Sequence, residues 1–79
     1  MRWLFRLLER SERFIVYAYS VEGDSLDGRI VYDIEKNETK IAKPCSKDID
    51  SEWKQKKALE HFYKVKKEGF PEERYVCIG

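Results

Sequence analysis

The chain is poor in the residues that most often carry chemistry. Its 79 residues include one histidine, two cysteines, one methionine, two prolines and four glycines. One His and two Cys, without a paired spacing such as C-x-x-C, fall short of a closed zinc site, and the acids around Asp24 and Asp27 lack the EF-hand pattern, so no metal is expected. Gly23 and Gly28 read as isolated turn glycines rather than a phosphate-cradling loop, which leaves no cofactor motif. Cys45, Asp48 and His61 are the one trio resembling a thiol nucleophile, an acid and a base, with Cys45 just ahead of a helix start. His61 lies roughly three helical turns further on, and no catalytic residue is assigned. No stretch approaches transmembrane length. The N-terminal apolar residues are interrupted by Arg6 and followed by Glu9 and Arg10, unlike a secretory signal. The expected compartment is the cytoplasm, with Cys45 and Cys77 both reduced.

What is present argues for a folded globule. Apolar residues make up 42% of the chain, and two Trp, five Tyr and four Phe supply bulk for a core. The length fits a single domain over residues 1–79, near the size where a core just suffices, so association with a partner or a second copy would add stability.

Residues 46–71 hold the clearest element. Gln55, Ala58, Leu59, Phe62 and Val65 recur at three- and four-residue intervals, the pattern of an amphipathic helix, with His61 and Tyr63 at the borders of the stripe. Asp48, Asp50 or Ser51 can cap its start. Gly69 can adopt the left-handed stop, Phe70 can fold back toward Val65, and Pro71 prevents continuation.

Upstream, Leu4, Leu7 and Leu8 suggest a short N-terminal helix over residues 2–12, with Arg2, Arg6 and Arg10 as a guanidinium stripe along one side. Phe14–Val21 is apolar on both alternating faces, as in an interior strand. Arg29–Glu35 alternates, with Ile30, Tyr32 and Ile34 on one side. Lys36–Thr39 reads as a hairpin turn, and Lys40–Lys43 as a short edge strand ended by Pro44. Arg74–Ile78 reads as a last strand pairing with the first. The expected fold is therefore α+β: a small, mostly antiparallel sheet of three or four strands, one long helix across it and a short N-terminal helix, in the order α-β-β-β-α-β.

Charge is segregated along the chain. Six acids between Glu22 and Glu38 face two bases, and six lysines between Lys54 and Lys67 face Glu60 alone, which predicts an electrically two-sided molecule. Trp53, Lys56, Lys57, Lys64 and Lys67 fall on the helix side away from the core stripe and form the candidate partner-binding surface, since Trp is enriched at interface hot spots. The acidic hairpin around Asp33 and Glu35 is a second patch. The element order α-β-β-β-α, with Lys54-Gln55-Lys56-Lys57-Ala58 early in the last helix, loosely resembles the double-stranded-RNA-binding domain. That resemblance implies phosphate contacts from Lys54, Lys56 and Lys57. The chain departs from that family in its short first helix, its acidic rather than glycine-rich approach to the lysines, and its extra last strand. The reading is thus a small non-enzymatic cytoplasmic interaction or regulatory module of bacterial style. It would bind a protein, with a nucleic-acid-binding module as the alternative.

Overall fold

The computed structural model describes residues 2–21, 25–46 and 49–77. Five strands and one helix follow in the order β1 (Arg2–Arg10), β2 (Phe14–Val21), β3 (Gly28–Asp33), β4 (Glu38–Lys43), α1 (Glu52–Lys67) and β5 (Glu73–Cys77). The strands form one antiparallel sheet in the order β4-β3-β2-β1-β5. The first four make a meander. α1 then crosses one face of the sheet and returns the chain to its far edge, where β5 pairs with β1. No helix of the described residues is long and apolar enough to cross a membrane.

The expected N-terminal helix is a strand. Leu, Arg and Glu favour helices, but pairing on both sides, to β2 and to β5, overrides that local preference. In the strand, Trp3, Phe5 and Leu7 point toward α1, and Leu4 toward the other face. Leu4 is nevertheless buried, which hides the alternation in the sequence. A bulge between Leu7 and Glu9 extrudes Leu8, which is half exposed, and reverses the phase beyond it. The arginine stripe is split as a result. Arg2 and Arg6 lie on the face away from α1, while Arg10 reaches the helix side and donates to the Phe70 carbonyl at 2.7 Å. The count of three or four strands is likewise corrected to five, and the last strand pairs with β1 rather than with Phe14–Val21.

α1 keeps its expected place. Ser51 caps it, accepting from the Lys54 N–H at 3.2 Å. Asp48, another cap candidate, lies outside the described residues. At the other end the Phe70 N–H bonds the Val65 carbonyl at 3.0 Å and the Gly69 N–H bonds that of Lys66 at 3.1 Å. This is a Schellman closure, with Gly69 at φ 81. Phe70 then sets its ring beside Tyr32 and Phe62.

The core lies between α1 and the sheet. Ala58, Phe62 and Val65 are buried against Trp3, Phe5, Tyr17, Tyr19, Ile30 and Val76, while Gln55 and Leu59 are only half buried. Phe62 meets Phe5 and Tyr17 edge to face at 5.6 and 5.3 Å. Tyr17 donates its hydroxyl to the Pro71 carbonyl, and burial pushes its pKa up to about 12, with Arg10 opposing, so it stays neutral. The Tyr19 hydroxyl accepts from the Cys45 N–H at 3.2 Å.

Gly28 is not a turn glycine. It opens β3 directly opposite Tyr19, whose ring lies where a side chain would be; an added Cβ would sit 2.4 Å from a ring carbon. Gly28→Ala should therefore cost about 1–3 kcal/mol through overpacking. Phe62→Ala should cost about 3–5 kcal/mol. Urea unfolding of the two variants measures both, and a Gly28→Ala protein as stable as wild type would contradict the ring-on-glycine packing.

Candidate functional site

The outer face of α1 carries the largest exposed aromatics of the helix. Trp53 is 58% and Tyr63 62% exposed, and Ile49, just ahead of the helix, is 59% exposed. Ten residues separate the two rings, a rise of about 15 Å along the axis. Between them, the Lys57 ammonium stands 5.9 Å from the Trp53 ring centre and pairs with Glu60 at 3.2 Å. Lys56, Lys64 and Lys67 are exposed on the same side. The face is a shallow aromatic and cationic stripe with one acid in it.

The other lysines of the helix are placed differently. Lys66 leaves the stripe, bonds the Asn37 side-chain carbonyl at 2.6 Å and lies over the Tyr32 ring at 4.9 Å. Lys54 is half buried, and a two-residue separation turns it about 200° from Lys56 around the helix. Lys54, Lys56 and Lys57 thus do not share one face. The α-β-β-β-α order behind the RNA-binding resemblance is also absent, because the chain begins with a four-stranded meander.

The acidic hairpin is not a free patch. Arg13 pairs with Asp33 at 3.5 Å and with Glu35 at 3.8 Å. Against the cost of desolvation, the Lys36 N–H and Arg13 hold the Asp33 carboxyl below its ordinary range. Lys66 brings the helix to the tip of this hairpin through Asn37.

Among the described residues no group of three or more His, Cys, Asp and Glu could hold a metal. Cys45 is buried beneath the Tyr19 hydroxyl, Cys77 is exposed on β5, and neither is in a disulfide. A shallow depression of about 410 Å³ beside the β1 bulge is lined by Arg6 and Arg10 together with Glu9, Glu72 and Glu73, a mixture of both signs.

His61 packs its ring on Trp3 at 4.9 Å between centres. Its Nε2 and the Trp3 Nε1 are enclosed with no hydrogen-bond partner among the described residues. Burial, then the positive charge of Lys64, lowers the His61 pKa below 6.5; Glu60 opposes and Lys57 adds to the lowering.

Comparison of the chain with protein-family models, with curated proteins and with solved structures finds no match.

Because folding lowers the His61 pKa, the unfolded chain binds more protons, so this stabilisation is complete above pH 6.5 and is lost as pH falls through the lower folded value. The melting temperature should therefore drop between pH 7.5 and 5.5. His61→Phe, which keeps a ring on Trp3 without a titrating nitrogen, should flatten that dependence. An unchanged pH profile in His61→Phe would place the effect elsewhere.

Proposed function

We propose that the chain is a small non-enzymatic protein-interaction module that works in the cytoplasm and docks a partner on the outer face of α1. The observation carrying this reading is the pairing of two widely exposed aromatics, Trp53 and Tyr63, along one helix face whose core side is already filled. Exposed Trp and Tyr supply large, stiff contact area, and such residues dominate the energetics of measured interfaces. Lys56, Lys64 and Lys67 around them favour a partner that is acidic at its rim and offers an apolar slot for the Trp53 ring. They also disfavour this face as a self-association surface, since two copies would oppose lysine to lysine. Duplex nucleic-acid binding through Lys54, Lys56 and Lys57 is the weaker reading, because those three lysines diverge around the helix.

Trp53→Ala should leave unfolding free energy within about 0.5 kcal/mol of wild type, as for an exposed side chain. It should weaken binding to a partner recovered with the wild-type chain by about 2 kcal/mol or more, roughly 30-fold. The two measurements are urea unfolding and titration calorimetry with the purified partner. A large loss of stability would make Trp53 a structural residue, and undiminished affinity would move the interface off this face.

A further inference from the structure

The face of the sheet turned away from α1 carries a charge arrangement that the fold itself does not need. Its cross-strand rows can be read from the pairing register. One row runs Glu73, Arg6, Ala18, Arg29, Lys43 from β5 to β4. Arg6 is answered by Glu73 at 3.0 Å. Arg29 and Lys43 are direct cross-strand partners, like charges on adjacent strands about 5 Å apart. Opposed like charges in a sheet are destabilising. Lys40 lies on the same face in the next row, opposite Val31.

No carboxylate of the described residues relieves this cluster. Among the described residues neither Arg29, Lys40 nor Lys43 makes an ion pair, and the Arg29 Nη1 is held by the carbonyls of Leu26 and Gly28 at 2.9 and 2.8 Å. Those carbonyls fix the guanidinium in place and leave its Nε and Nη2 without a hydrogen-bond partner among the described residues. The contrast lies on the same two strands. Asp33 and Glu38 are also opposed like charges, and there Arg13 sits on Asp33 as the compensating ion. A β4 bulge beside Ala42 brings Lys43 into register with Arg29.

At the two ends of this face stand Phe14 and Tyr75, both more than a third exposed, each with an arginine over its ring (Arg13 at 5.1 Å, Arg2 at 5.3 Å). Between them Leu4, Ala18 and Ser20 are buried, and Val16 and Val31 are partly exposed. Cations on β3 and β4 with an aromatic at either end of the face suit an extended strand laid across it.

We propose that the Arg29–Lys43–Lys40 cluster is a phosphate-backbone site, and that the sheet face turned away from α1 binds single-stranded nucleic acid. Charge complementarity supplies the affinity, with Phe14 and Tyr75 as stacking surfaces for bases. The site is separate from the α1 face and its failure leaves the protein-docking reading untouched.

The test is fluorescence anisotropy of labelled 20-nucleotide oligo-dT and oligo-U with the 79-residue chain, at about 50 and 200 mM salt. Three phosphate contacts give a log–log salt slope near −2 for single strands. Lys43→Glu should weaken binding at least tenfold. It should also raise the melting temperature, because it turns the opposed like pair into an opposite one; retained folding thus comes built into the variant. Arg29→Met should weaken binding as well and flatten the slope. Lys56→Glu/Lys64→Glu and Trp53→Ala should bind as wild type does. Four results would overturn the proposal: no binding at low salt, equal binding by Lys43→Glu, loss confined to the α1 variants, or equal binding to vesicles of anionic phospholipid.

Discussion

Pairing of β1 on both its edges is the constraint on which the structure depends. β2 occupies one side and β5 the other, over registers that extend from Trp3 to Arg10 and from Arg2 to Arg6 respectively. With β1 held this way, Trp3, Phe5 and Leu7 line the sheet under α1, and β5 returns Val76 beside them. A meander of β2, β3 and β4 alone would present Ile15, Tyr17, Tyr19, Ile30 and Tyr32 to the helix but would leave Phe62 without Phe5 and His61 without Trp3. In a domain near the lower size limit for a self-sufficient core, those aromatic contacts are a large share of what opposes chain entropy. The connection that makes the pairing possible is the helix stop. Gly69 and Phe70 both take left-handed backbone conformations, and they turn the chain from α1 into β5 within a few residues. Arg10 and the Tyr17 hydroxyl then fasten the turn by binding the carbonyls of Phe70 and Pro71.

The two ends of the chain are legible to different degrees for physical reasons. The helix could be read because its signals are local. Its apolar stripe has period 3.6, Ser51 is a capping residue, and Gly69-Phe70-Pro71 is a stop that works within one turn. β2 could be read because Phe14–Val21 is apolar and β-branched on both faces, as a doubly flanked strand requires. β1 could not, because its residues favour a helix locally and its true partners lie far along the chain. Leu4, buried on the polar side of the sheet, and Leu8, pushed out by the bulge, together imitate helical spacing. Gly28 was likewise opaque: a glycine near a loop reads as a turn until the Tyr19 ring is seen to fill the space of its missing side chain.

The same distinction applies to the candidate surfaces. Trp53, Lys56, Lys57, Lys64 and Lys67 follow from helical phase, so a correct helix places them together without any tertiary information. Lys54 joins Lys56 and Lys57 only through the resemblance to the double-stranded-RNA-binding domain, and the helix turn separates it from Lys56. Asp33 and Glu35 looked like an acidic patch because Arg13, their counter-ion, lies across a strand pair and not beside them in the chain. Arg29, Lys40 and Lys43 had no signal at all in one dimension. Their clustering needs the β3–β4 register and the bulge beside Ala42, and a shift of one residue would send Lys43 to the other face.

Where charges are placed on this sheet separates structural from unexplained features. Arg6 with Glu73 and Arg13 with Asp33 are each a base brought against an acid by the pairing, Arg74 meets Glu68 at the end of α1, and exposed pairs of this kind contribute little. Arg29 against Lys43 runs the other way. A sheet edge can be guarded from unwanted pairing by lysines and a bulge, and Lys40, Lys43 and the Ala42 bulge would do that for β4. Edge protection accounts for the lysines, yet it does not require a third cation on the neighbouring strand, opposite Lys43 in register and anchored by two carbonyls. Repulsion maintained at that point by dedicated hydrogen bonds is the arrangement expected where an anion completes the site.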